Sequence, residues 1–150
     1  MGSLKLPTSG LVYFDSQAVI YSVETHADYW SLLEPVWEAA EAGAFEIVSS
    51  GLLLLETLVG PLRSGDQDLV TAYEQLVKSP EMRLLPITEA VLRKAACLRA
   101  DVPALRTPDA IHGATALLAG CALFVTNDHG FRRVSGLPLV ILRDHLSRGA

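Results

Sequence analysis

The sequence predicts an α/β fold, a mainly parallel sheet of about five strands with helices on both faces. Short β-rich runs alternate with longer segments of helical spacing from one end of the chain to the other. The 150 residues fit one domain. No repeat, low-complexity tract or long linker divides them. Strands separated by helices are joined by crossovers, and crossovers make neighbouring strands parallel.

The elements follow in order. Leu11-Val12-Tyr13-Phe14 is a compact β-rich run after a Pro/Ser/Gly leader, and it reads as a buried first strand ending at Asp15. A short helix follows through Val19, Ile20 and Val23. Trp30, Leu33, Trp37 and Ala40 keep helical spacing up to Gly43, with Pro35 kinking or restarting the helix. Phe45–Val48 reads as the second strand, and Ser49-Ser50-Gly51 turns into a helix that Gly60-Pro61 should end. Asp66 to Lys78 is helical, Met82–Leu85 is the third strand, and Thr88 caps a helix with the apolar stripe Val91, Leu92, Ala95 and Leu98. Thr107-Pro108-Asp109 combines an N-cap threonine, a proline at the first helical position and an acid in the first turn. That helix runs to Ala119 and stops at Gly120. Ala122–Val125 and Leu139–Leu142 complete the sheet.

Composition narrows the function. Half the residues are hydrophobic and 19% are charged, which excludes a disordered, collagen-like or coiled-coil chain. A net charge of −5 argues against a protein that coats DNA. Cys97 and Cys121 form no CxxC pair and read as buried thiols in a reducing cytoplasm. The first ten residues carry no apolar signal core, and Leu6 stands where a myristoylation site needs Ser or Thr. The longest apolar run, Leu52–Leu55, is far short of the ~18 residues of a membrane span. The expectation is a soluble cytoplasmic protein with no membrane partner.

Most of the acids, such as Glu34, Glu38 and Glu41, belong to solvated helix faces. Four do not. Asp15 and Asp128 lie at the C-terminal ends of the first and fourth strands, where open α/β sheets bind ligands. Glu56 shares a helical stripe with Leu52, Leu55 and Val59, so its carboxylate points to an apolar side and needs a cation or a wet cleft. A salt bridge to an arginine would serve equally well. Asp109 opens its helix beside a strip of His112, Gly113 and Ala116 that permits close approach. Four converging carboxylates would repel one another, and a hard divalent cation, Mg²⁺ or Mn²⁺, is the simplest remedy. Two such ions would bring −5 to about −1. Arg106 and Arg132 flank the predicted cleft as candidate phosphate contacts. His112 and His129 read either as structural residues or as aids to proton transfer and metal ligation.

Four segments together resemble the PIN domain, and more narrowly the VapC-type toxins of bacterial toxin–antitoxin pairs. They are Val12-Tyr13-Phe14-Asp15-Ser16, Ser49-Ser50-(x)₅-Glu56-Thr57, Pro108 through Ala116, and Phe124-Val125-Thr126-Asn127-Asp128-(x)₂-Phe131. The resemblance spans about Leu11 to Leu142. It implies a PIN-like three-layer α/β/α sandwich over 11–142, after a leader or tag-like segment at 1–10 and before a C-terminal tail at 143–150. It also implies a Mg²⁺- or Mn²⁺-dependent endoribonuclease with one or two ions, a homodimer, and a small cognate antitoxin. Asp15, Glu56, Asp109 and Asp128 correspond to the family's acidic metal ligands, and Thr126 to a hydroxyl residue that positions the metal or its waters. Gln17 departs from the Asn or Ser that many members carry. A catalytically weak RNA-binding or scaffold protein of the same fold is the alternative, but none of the four acids is missing. Receiver-like and dehalogenase-like phosphotransfer domains need a late lysine, and Lys5, Lys78 and Lys94 all precede the last third of the chain.

Overall fold

Five strands, all parallel, form one sheet in the order β3-β2-β1-β4-β5. The computed structural model describes residues 2–146; Met1 and residues 147–150 of the expected tail lie outside the described residues. The elements are β1 (Leu11–Phe14), α1 (Ser16–Val23), α2 (Trp30–Glu41), β2 (Glu46–Ser50), α3 (Leu53–Ser64), α4 (Gln67–Lys78) and β3 (Met82–Leu85), then α5 (Glu89–Asp101), α6 (Thr107–Ala119), β4 (Leu123–Thr126) and β5 (Leu139–Ile141). Short 3₁₀ helices follow β4 at His129–Arg133 and β5 at Leu142–His145.

Alternation along the strands sorts the core into two layers. Val12 and Phe14 of β1 and Ile47 of β2 face a cluster with Val19, Leu33, Val36 and Leu53, on the side of α1 and α2. Tyr13 and Val48 face the opposite cluster, with Val91, Ala95, Leu98, Ala110 and Ala114 of α5 and α6. The result is the three-layer α/β/α sandwich the sequence predicts. Leu4 and Leu6, ahead of β1, also pack against the first cluster.

The chain winds outward from β1 through β2 to β3, then returns to the other side of β1 for β4. Strand order therefore reverses between β1 and β4. Their diverging connections open a crevice at the C-terminal ends, directly beyond Phe14 and Thr126.

Several local expectations are corrected. The helix α3 does not end at Gly60-Pro61 but runs to Ser64 and closes on Gly65 at φ 74°. Pro61 gives up one backbone hydrogen bond, and burial of its ring against the core compensates. The α3 stripe is also rotated: Leu53, Thr57 and Pro61 face inward, while Leu55 and Val59 are 68% and 49% exposed. Thr107 is the first residue of α6 rather than its cap, because the backbone is already helical there and the extended residue before it is Arg106; its hydroxyl accepts from Arg99 Nη1 at 3.1 Å. Leu92 falls off the buried face of α5, which is carried by Val91, Ala95 and Leu98. Cys97 is exposed, whereas Cys121 is buried and its thiol is pushed up to about 11 by that burial. Pro35 sits within a continuous α2.

Candidate active site

Asp15 stands immediately after β1, where the chain turns into α1. One carboxylate oxygen caps that helix, accepting from the Ala18 amide at 3.0 Å. The other accepts from the Thr126 hydroxyl at the end of β4. Only 4% of Asp15 is exposed, and no cationic side chain pairs with it among the described residues. Burial pushes its carboxyl up to about 6, against the pull of the Thr126 hydroxyl, nearby His112 and the Ala18 amide, while Glu56 pushes it further up.

Thr126 joins two acids. Its oxygen donates to Asp15 and accepts the amide of Asp128 at 3.1 Å. Asp128 in turn caps the following 3₁₀ helix through the Gly130 amide at 2.8 Å. A Cβ on Gly130 would sit 3.1 Å from that same carboxylate oxygen, so a larger residue there would have to displace the Asp128 carboxylate by a few tenths of an ångström. Next to it, Asn127 accepts from the Arg143 amide and Nε at 2.9 and 3.1 Å, tying the loop to the chain after β5.

Asp109 lies in the first turn of α6, whose dipole favours an acid there. Arg106 Nε is 3.5 Å from its carboxylate. Partial burial raises the Asp109 carboxyl, Arg106 opposes the rise, and the charge of Asp128 adds to it. Glu56 reaches in from the first turn of α3, with Oε1 2.5 Å from His112 Nε2. His112 is itself 1% exposed, and its Nδ1 lies 2.6 Å from the Tyr13 hydroxyl.

These elements enclose a cleft of about 240 Å³ lined by Asp15, Glu56, Asp109, Asp128, His112 and Arg106, with Ser16, Gln17 and Pro108 completing the wall. All four sequence-predicted acids reach it, and Thr126 braces two of them from beneath. Arg106 joins it and Arg132 does not: Arg132 pairs with Asp144, which also accepts from His129. Those two partners hold the exposed Asp144 carboxyl below its usual range. The engagement of Tyr13 with His112 was not legible from strand periodicity. The signal for His112 was its place one helical turn after Asp109 on α6.

Among the described residues, no three His, Cys, Asp or Glu side chains form a ready-made metal cage. The donor set fits a hard cation of another kind. The four acids offer only oxygen, in an open cleft with one arginine to oppose them, and Asp15 carries a buried carboxyl with no cation beside it. Mg²⁺ keeps several waters and is usually held by one or two carboxylates plus substrate phosphates.

A family model of the PIN domain matches residues 12–137. The chain belongs to the PIN domain family. No curated protein matches it in sequence. Among solved structures, this PIN domain is similar to VapBC2 from Rickettsia felis bound to a DNA fragment from its promoter. The TM-score is 0.72 at 15% identity, covering 87% of this chain and 98% of that one. It is similar to DNA-bound VapBC from Salmonella typhimurium at TM-score 0.70 and 15% identity, covering 91% and 99%. The toxin–antitoxin protein VapBC-5 from Mycobacterium tuberculosis aligns at TM-score 0.57 and 19% identity, covering 91% and 98%. These likenesses concern the fold, which this PIN domain shares over nearly its whole described length.

Proposed function

We propose that this PIN domain is a metal-dependent endoribonuclease that hydrolyses RNA phosphodiester bonds in the cytoplasm, as the toxin of a VapBC-type pair. The observation that carries the reading is the convergence of Asp15, Glu56, Asp109 and Asp128 on one open cleft at the sheet's switch point. The likeness of the fold to VapBC toxin–antitoxin structures supports the same reading.

The four carboxylates would hold Mg²⁺ or Mn²⁺, one ion or two. When bound, the metal supplies a water activated for attack and neutralises charge developing on the phosphate and the leaving oxygen. The chain's own residues set the stage. Thr126 and the Ala18 amide fix Asp15 from both sides, and the Gly130 amide fixes Asp128. Arg106 is 79% exposed beside Asp109, long enough and free enough to meet a phosphate arriving at the cleft. With bound cations offsetting the acidic cluster, local contacts of this kind reconcile RNA binding with the net charge of −5.

The proposal includes two protein partners, a small cognate antitoxin and a second copy of the chain. It is supported by the apolar row that α3 leaves in solvent, Leu55, Val59 and Leu62 at 68%, 49% and 61% exposure. Incubating the full chain with RNA in Mg²⁺ or Mn²⁺ tests the activity. Cleavage is expected with either metal, and none with chelator or with Asp109→Asn. Cleavage that survives both treatments would overturn the reading.

A further inference from the structure

A chain of buried polar groups runs from the sheet to the cleft, whose wall its last two members, His112 and Glu56, help to form. The Tyr13 hydroxyl lies 2.6 Å from His112 Nδ1, and His112 Nε2 lies 2.5 Å from Glu56 Oε1. Tyr13 is fully buried and His112 is 1% exposed. Packing fixes both rings: Tyr13 is stacked on Phe124 at 5.0 Å between centroids and meets His112 edge-on at 5.8 Å. A core position that needed only volume would be served by Phe and Leu, with no polar atoms to satisfy.

The four acids differ in how they are held. Asp15 and Asp128 are short side chains locked by backbone amides, and Asp15 also by the Thr126 hydroxyl. Asp109 is short and half-buried at the head of α6. Glu56 has the longest side chain of the four, and its hydrogen-bond partner is His112. The chemistry of that contact is directional. An ionised carboxylate only accepts, so His112 Nε2 must carry a proton to sit at this distance. The tautomer with its proton on Nε2, aimed at Glu56, leaves Nδ1 to accept from the Tyr13 hydroxyl.

We propose that Tyr13 and His112 are a positioning pair for Glu56: Tyr13 fixes the His112 tautomer, and the Nε2–H holds Oε1 so that the rest of the carboxylate faces the cleft. The proposal deepens the reading of the cleft as a hard-cation site and rests on it. Neither Tyr13 nor His112 is assigned as a ligand. Outer partners of this kind typically change metal affinity by about 10–100-fold.

The test is Mn²⁺ titration of the full chain, followed by calorimetry, on wild type, Tyr13→Phe, His112→Gln and His112→Leu. Nitrogen-15 NMR of the imidazole on the metal-free proteins accompanies it. The expected affinity loss is about 10–100-fold for His112→Leu and smaller for Tyr13→Phe. His112→Gln should recover part of it, because its amide keeps an N–H donor near Glu56. A purely structural role would lower stability in the same order but leave the Mn²⁺ affinity of the folded variants unchanged. The NMR should show the wild-type proton on Nε2 and a loss of that preference in Tyr13→Phe. A proton on Nδ1, or a folded His112→Leu that binds Mn²⁺ as wild type does, overturns the proposal. Should His112→Leu fail to fold, Tyr13→Phe decides, since it removes one oxygen from unchanged packing; wild-type affinity there would overturn it. A wild type that binds no Mn²⁺ defeats the cation reading itself. The NMR then judges the pair alone, Nε2 supporting it and Nδ1 overturning it.

Discussion

Substituting Asp15 by asparagine is expected to stabilise the cation-free protein at neutral pH while abolishing the proposed ribonuclease activity. Burial lifts the Asp15 carboxyl from its ordinary 3.8 to about 6. A group whose pKa is raised on folding binds more protons in the folded state between those two values. Its stabilising contribution is therefore complete below 3.8 and lost as pH rises through about 6. At 1.36 kcal/mol for each pH unit of displacement, the ionised form costs about 3 kcal/mol of stability above that window. Asparagine keeps the shape and carries no charge, but surrenders one acceptor, a loss of about 1 kcal/mol. Asp15→Asn should thus be about 1 kcal/mol less stable than wild type at low pH and about 2 kcal/mol more stable at pH 7.5. Urea unfolding of both proteins in chelator, from pH 4 to 8, reads the crossing. Saturating Mn²⁺ should then raise wild type selectively, by about 4 kcal/mol at a thousandfold excess over Kd. A difference that does not vary with pH, or a wild type more stable than Asp15→Asn at pH 7.5 in chelator, would mean that the Asp15 carboxyl is not destabilised by its burial.

Two further substitutions probe the surrounding architecture. Thr126→Val keeps the shape of the side chain but removes the hydroxyl shared by Asp15 and the Asp128 amide. It should cost about 1–3 kcal/mol in urea unfolding and weaken Mn²⁺ binding in a calorimetric titration. On α3, Leu53→Ala should cost about 2–5 kcal/mol, while Leu55→Ala stays within about 0.5 kcal/mol. Thermal or urea unfolding of the pair distinguishes the inward face of the helix from the outward one, and equal losses would mean that α3 is rotated from the position described.

The sheet was legible because its strands are short, apolar and separated by helices with clear stops, and the crevice followed from topology. What misled was the apolar stripe on α3. Leu52, Leu55, Glu56 and Val59 keep helical spacing, yet a parallel row through Leu53, Thr57 and Pro61 is the one that is buried. A helix with apolar residues on more than one face does not declare which face is inside, and here the surplus apolar row is left in solvent. Glu56 nevertheless lies at the cleft, though not through the stripe that drew attention to it. It borders the cleft through His112 rather than being sunk among leucines. The continuation of α3 past Pro61 had no local signal either, since what compensates the lost hydrogen bond is tertiary packing.

The candidate acids were visible as strand-end and helix-start residues, because those positions are set by local sequence. Their supports were less visible. Thr126 touches Asp15 across 111 positions and Tyr13 touches His112 across 99. No periodicity carries information over such separations. Gly130 and Asn127 lie inside the segment that resembles the PIN domain, but their tasks, one making room for Asp128 and the other tying the loop to Arg143, emerge only in three dimensions.

Four carboxylates from separate elements should act together as one hard-cation site. Anomalous scattering from a crystal of the full chain soaked in Mn²⁺ is the deciding measurement. A peak in the cleft, directly coordinated by at least one of Asp15, Glu56, Asp109 and Asp128 and lost in Asp109→Asn, is the expected result. A cleft without anomalous signal at saturating Mn²⁺, or a peak bound only elsewhere on the surface, would contradict it.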